Sequence, residues 1–217
     1  VKRIGLAAIS ILLLGLTVFL FIKQYQSEYD YKSLQLNQNI VERTFANYHH
    51  KLEHLAIKHS LPENYLLALI ALESSGRKII PHRFESHVHE KLLDVKSGKL
   101  KNLERVVSSD LKNMGKDELK ELASSWGPFQ IMGYKCFEIG VSLNQLKGKS
   151  NLDHSLSWIK SNYGLFLKQE KFKDAFHYHN TGRKHPRIGP PRTYDKDYIP
   201  KGMKYMDEFT ILLAEKS

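Results

Sequence analysis

The 217-residue sequence predicts one mainly α-helical domain with little β structure, set behind an N-terminal membrane helix. Three observations carry this. Residues 5–22, "GLAAISILLLGLTVFLFI", hold no charge and have about the length of a short spanning helix. Beyond them, apolar residues recur at spacings of three and four, as in Phe45, Tyr48, Leu52, Leu55 and Ala56. Finally, the apolar runs are punctuated by helix start and stop residues.

The elements follow in order. Lys2 and Arg3 precede the uncharged run, which favours an N-terminus in the cytoplasm. No small-x-small cleavage site follows, so residues 1–22 read as an uncleaved signal anchor in the inner membrane, the rival being a cleaved signal peptide. Either way the rest of the chain is exported. Residues 23–42 are polar and read as a juxtamembrane stalk, and the main domain is expected over 43–217. From about Arg43 the pattern is helical. "SLPE" (60–63) reads as a capping box, with Ser60 as N-cap and Glu63 at N3, opening a helix from Leu61 to about Glu73 that Gly76 ends. Residues 77–90 read as irregular or briefly extended, and 91–123 as helical pieces of an inserted subdomain. "SSWGPFQIMGYKCFEIG" (124–140) opens on Gly-Pro breakers and turns apolar. Helices are expected over 152–170, 172–180 and 198–215, with a basic Pro/Gly loop between the last two.

The formal charge of +10 implies an anionic partner: a membrane surface, a cell-wall polymer or a nucleic acid. No nucleic-acid motif is present, which sets that class aside. Eleven tyrosines and ten phenylalanines argue against disorder. Cys136, the single cysteine, cannot form an internal disulfide and reads as core. His82, His87 and His89 fit no metal-ligand spacing, so neither metal nor cofactor is expected.

"ALIALESSG" (68–76) poses the functional question. An apolar helix ends on Glu73, although the helix dipole disfavours a carboxylate at that end. Burial and the negative helix end both raise a carboxyl pKa, and an acid still protonated near neutrality can protonate a glycosidic oxygen. "ESSG" is followed about fifty residues on by "SWGPFQIMGY" (125–134), then by "YHNTG" (178–182), then by a Tyr-containing terminal helix. In that order these resemble the lysozyme-like superfamily that cleaves peptidoglycan: goose-type lysozymes, soluble lytic transglycosylases and endolysin N-acetylmuramidases. "RFESHV" (83–88) resembles a further segment of the endolysin muramidases. The resemblance covers about residues 55–210.

It implies a lysozyme-like domain that cuts between N-acetylmuramic acid and N-acetylglucosamine, with Glu73 as general acid. Glu85 is the candidate second carboxylate, ahead of Asp94 and Asp110, should water be the nucleophile. Ser74, Gln130, Met132, Asn180 and Tyr198 are the implied substrate-binding residues. Here His179 stands where a tyrosine is usual, and whether Tyr194 or Tyr198 reaches the acid stays open. Trp126 and Phe129 read equally as core or as sugar-stacking residues. The expected partners are peptidoglycan strands and, through the N-terminal helix, the inner membrane. Two other classes remain: a non-catalytic glycan-binding module and an envelope scaffold.

Overall fold

The computed structural model describes residues 17–21, 23–24 and 39–215. The chain divides into two units, Val1–Asn39 and Ile40–Ser217. In the first, residues 17–21 and 23–24 are helical and exposed. Most of the expected membrane anchor and stalk lies outside the described residues. Among the described residues no helix is long and apolar enough to cross a membrane.

The second unit is mainly helical. Helix α1 (Ile40–His59) buries one face, Val41, Phe45, Tyr48, Leu52 and Ala56. It begins three residues before the expected Arg43, because Val41 belongs to the core. Helix α2 (Glu63–Ser74) is the central element, with Tyr65 through Ala71 all buried. A helix apolar on every side is buried on every side. It starts later than the sequence reading had it. Ser60 is not its N-cap; it takes a left-handed conformation (φ +55°), and the Leu61 amide donates to the Ala56 carbonyl at 2.9 Å. Ser60 therefore closes α1. Pro62 disfavours helical geometry at Leu61, so α2 cannot begin before it. Glu63 instead meets His49 Nδ1 at 2.7 Å.

A small antiparallel sheet follows in the order β1 (Arg83–Phe84), β4 (Ser124–Trp126), β5 (Ile131–Met132), with Arg83 opposite Ser125 and Ser125 opposite Met132. Between β1 and β4 come α3 (Ser86–Lys96), a hairpin of β2 (Asn102–Leu103) and β3 (Val106–Val107), α4 (Ser108–Leu111) and α5 (Lys116–Leu122). The region expected to hold helical pieces alone thus also contains a hairpin.

A 3₁₀ turn (Gly133–Lys135) leads to α6 (Cys136–Ile139) and α7 (Leu143–Lys147). The latter has a true capping box: the Gln145 amide donates to Ser142 Oγ, and the Ser142 amide to Gln145 Oε1. Helix α8 (Asn151–Lys168) kinks at Tyr163, and α9 (Phe172–Thr181) and α10 (Tyr198–Ala214) complete the unit. α2 packs between α1 and α10, while α8 and α9 pack on each other. The contact with α10 is close at Gly202, where an added Cβ would come within 2.9 Å of Leu72 and 3.0 Å of Phe176. That glycine lets the start of α10 lie against the end of α2.

Candidate active site

Glu73 sits in the last turn of α2. The turn closes on Ser75 in a left-handed conformation (φ +53°), whose amide caps the Ile70 carbonyl. The chain leaving α2 is held by α1. Arg43 Nε donates to the Ser75 carbonyl at 2.7 Å, Asn47 Nδ2 to the Gly76 carbonyl at 2.8 Å, and the Tyr48 hydroxyl to the Arg77 carbonyl. Gly76 has φ +66°, and an added Cβ would lie 2.1 Å from Thr44 Oγ1. The carbonyls of the exit turn therefore have donors from another helix, and no cation is needed in the last turn of α2.

The Glu73 side chain is 17% exposed. The Tyr198 hydroxyl, from the first residue of α10, donates to Glu73 Oε1. This settles the choice between the two tyrosines: Tyr198 is buried against the acid, while Tyr194 is fully exposed. Burial pushes Glu73 up to about 7, opposed by the Tyr198 hydrogen bond and by the Arg83 charge. Near neutral pH the group is thus divided between acid and carboxylate.

His179 lies beside it, with Nε2 at 3.8 Å from Glu73 Oε1. Its Nε2 is 3.0 Å from the Phe129 carbonyl and its Nδ1 2.7 Å from the Tyr163 hydroxyl. A carbonyl only accepts, so Nε2 carries the proton and Nδ1 accepts from Tyr163. Burial drives its pKa down to about 4, so the imidazole is neutral. It joins α9 to the β4–β5 turn without placing a cation against the acid.

Glu73 opens on a cleft of about 1050 Å³, which Ser74, Glu85, Gln130, Met132 and Asn180 also line. Six of the seven residues singled out in the sequence meet there. The seventh, Tyr198, stands behind the acid and is not among the lining residues.

The environments of the six differ. Ser74 Oγ donates back to the Ile70 carbonyl at 3.0 Å. Gln130 has a left-handed backbone (φ +49°), held by its own side chain: Nε2 donates to the Gly127 carbonyl at 3.0 Å, and Oε1 accepts from Ser125 Oγ at 2.7 Å. Such a conformation costs about 1–2 kcal/mol in a non-glycine residue, and it belongs to the β4–β5 turn whose Phe129 carbonyl meets His179. Glu85 is engaged by Arg83, with Nε at 2.7 Å and Nη2 at 2.6 Å from Oε1, and His87 Nδ1 lies 3.7 Å from Oε2. Asp94 and Asp110 do not line the cleft. Phe129 is fully buried core. Trp126 stacks on His82 with ring centres 4.8 Å apart, and its indole N–H donates to the Glu121 carbonyl. It too is absent from the cleft lining. Cys136 is buried, and burial pushes its thiol up to about 11.

Three participants were not singled out in the sequence. Arg83 acts on both carboxyls; on a strand it shares a face with Glu85 two residues on, a signal that was available. Tyr163 orients His179 from the kink in α8. Lys135 binds Glu104 and lies 3.7 Å from Glu138, within the same cleft. The basic loop leaves the cleft at Gly182. Its ends are joined through the fully buried His177, whose Nδ1 meets the Arg183 carbonyl at 2.8 Å and whose Nε2 accepts from the Arg192 amide at 3.1 Å. Among the described residues no group of His, Cys, Asp and Glu is arranged to hold a metal ion. No known protein family, curated protein or solved structure matches the chain.

Proposed function

We propose that the chain is a lysozyme-like enzyme that cleaves peptidoglycan strands between N-acetylmuramic acid and N-acetylglucosamine. The observation that carries the reading is Glu73: a carboxyl protonatable near neutral pH, held by one tyrosine at a buried helix end and opening on a cleft of about 1050 Å³. The ordered motifs around Glu73, Gln130 and Asn180, and the small antiparallel sheet beside a helical body, support it further.

Glu73 gives its proton to the glycosidic oxygen as the bond to the muramyl C1 breaks, and N-acetylglucosamine leaves with a free 4-hydroxyl. Hydrolysis would then need a second carboxylate free to activate water or to attack. Glu85 is instead engaged by Arg83, which supports the route that needs one carboxyl. In that route the muramyl 6-hydroxyl attacks C1, its proton returns to Glu73, and a 1,6-anhydro end forms. The uncharged run at 5–22 supports a site of action outside the cytoplasmic membrane.

The test is mass spectrometry of muropeptides released by the purified chain and by Glu73→Gln. Anhydro-muropeptides from the parent and none from the variant are expected. Reducing ends would reassign the chain to hydrolysis and give Glu85 a direct role. Binding to strands without cleavage by the parent would leave a binding module, and no binding a scaffold.

A further inference from the structure

The charges in the cleft are unevenly satisfied. Arg83 is taken up by Glu85, and Lys135 by Glu104 and Glu138. Glu138 also accepts from the Trp158 indole at 3.0 Å and from Asn162 at 2.9 Å. Three cations remain. Arg77, Lys91 and Arg105 line the same cleft, are exposed, and have no ion-pair partner among the described residues. All three come from residues 77–105: the exit from α2, α3 and the β2–β3 turn. The part of the lining drawn from 158–182 is different in kind, being aromatic, amide and hydroxyl: Trp158, Asn162, Tyr178, Asn180 and Thr181, with His179 held neutral. Asn180 is exposed, and its amide is free for a ligand.

A neutral glycan needs a ring face and an amide partner, which the half-buried Tyr178 and the exposed Asn180 supply. It has no use for three unpaired cations along the rest of the cleft. We infer that Arg77, Lys91 and Arg105 form a subsite for anionic substituents on the glycan, so that the enzyme selects strands carrying carboxylate-bearing stem peptides over strands whose stem carboxylates are neutralised. The inference rests on the proposed glycan cleavage and adds the substrate form to it. Sugar rings lie along residues 158–182, with the linkage over Glu73, while the lactyl-linked peptide projects toward 77–105. The three side chains are exposed and come from three separate elements, so they can follow a flexible peptide. Their pull on it weakens with salt.

The experiment compares three substrates of matched strand length: strands with native stem peptides, strands with the stem carboxylates chemically amidated, and strands stripped of peptide by an amidase. The readout is the ratio of kcat/KM values. For the native chain at low salt the ratio of native to amidated strands should be roughly tenfold, the order that three exposed charge pairs supply. Stripped strands keep one lactyl carboxylate on each muramyl residue and should fall between native and amidated strands. The combined substitution Arg77→Gln, Lys91→Gln, Arg105→Gln should bring the ratio toward one, as should about 0.5 M salt, whereas Lys173→Gln, outside the cleft, should leave it in place. Equal cleavage of all three substrates by the native chain overturns the subsite and leaves glycan cleavage standing, as does a triple variant that keeps the preference. Cleavage of none overturns the proposed function itself. A preference that survives amidation shows that peptide bulk rather than charge is read, and also overturns the subsite.

Discussion

Replacing Glu73 by glutamine should make the protein more stable at alkaline pH while removing its activity. The side chain is 17% exposed and its pKa stands at about 7 against an ordinary 4.5, with burial as the main cause. Below about pH 4.5 the carboxyl is protonated in the folded and unfolded chains alike, and a neutral amide of the same shape changes little. As pH rises the unfolded chain loses its proton first. Since folding favours the protonated form, stability falls from pH 4.5 through pH 7 and then levels. At about 1.4 kcal/mol for each tenfold change in proton affinity, the full penalty is about 3 kcal/mol. The glutamine variant does not pay it. For a domain of this size that corresponds to a melting temperature higher by about 6–12 °C at pH 8.5. Thermal unfolding of parent and variant at pH 4.5 and 8.5, followed by circular dichroism, measures it. A difference that is the same at both pH values would refute the account of Glu73 as a carboxyl held against ionisation. A variant less stable at pH 8.5 would show that the carboxylate is the form the fold prefers.

Three other outcomes follow from the same contacts. Tyr198→Phe removes a hydrogen bond that lowers the Glu73 pKa, so the alkaline limb of the kcat/KM profile, expected near pH 7, should move up by several tenths of a unit or more as overall activity falls; a downward move would contradict the assigned role of the hydroxyl. His177→Phe keeps ring volume but loses both contacts that close the basic loop, so trypsin should cut between Arg183 and Arg192 several times faster while the helical body resists; an unchanged rate would show that the loop is held by other means. Gly76→Ala meets both an unfavourable φ and the Thr44 side chain and backbone, and should cost about 2 kcal/mol or more in denaturant unfolding; a change below about 0.5 kcal/mol would mean that the α1–α2 contact yields easily.

The long helices were legible because each buries one periodic face. The expected 152–170, 172–180 and 198–215 became Asn151–Lys168, Phe172–Thr181 and Tyr198–Ala214. Of the strands only β1 was foreshadowed, by the briefly extended reading of 77–90; four of the five among the described residues span only two residues, too short for alternation to register. Ser60 illustrates a different limit. Its spacing to Glu63 matches a capping box, yet the proline between them decides the geometry, and the serine closes the previous helix instead. The choice between Tyr194 and Tyr198 could have been made. Tyr198, Gly202, Met206 and Phe209 are spaced by four, four and three, and all lie on the buried face of α10, which Tyr194 precedes. What no local pattern carries is the support that α1 gives the end of α2. Arg43, Asn47 and Tyr48 reach carbonyls 29 to 32 residues away, and these contacts exist only once the two helices are packed.

That support answers the question posed by a carboxylate at the end of an apolar helix. A lone helix would place a cation in its last turn, and that cation would pair with Glu73 and hold it ionised. Here the exit carbonyls are met from α1, so the last turn of α2 is free of basic residues. The basic group that comes within 4 Å, His179, has its tautomer fixed by Phe129 and Tyr163, is kept neutral by burial, and brings no charge. Arg83 is shared with Glu85, which spends part of its field. Each of these arrangements removes a force that would hold Glu73 as a carboxylate. Together they leave burial as the dominant influence, and burial is what keeps a proton on the acid at the pH where it would be given away.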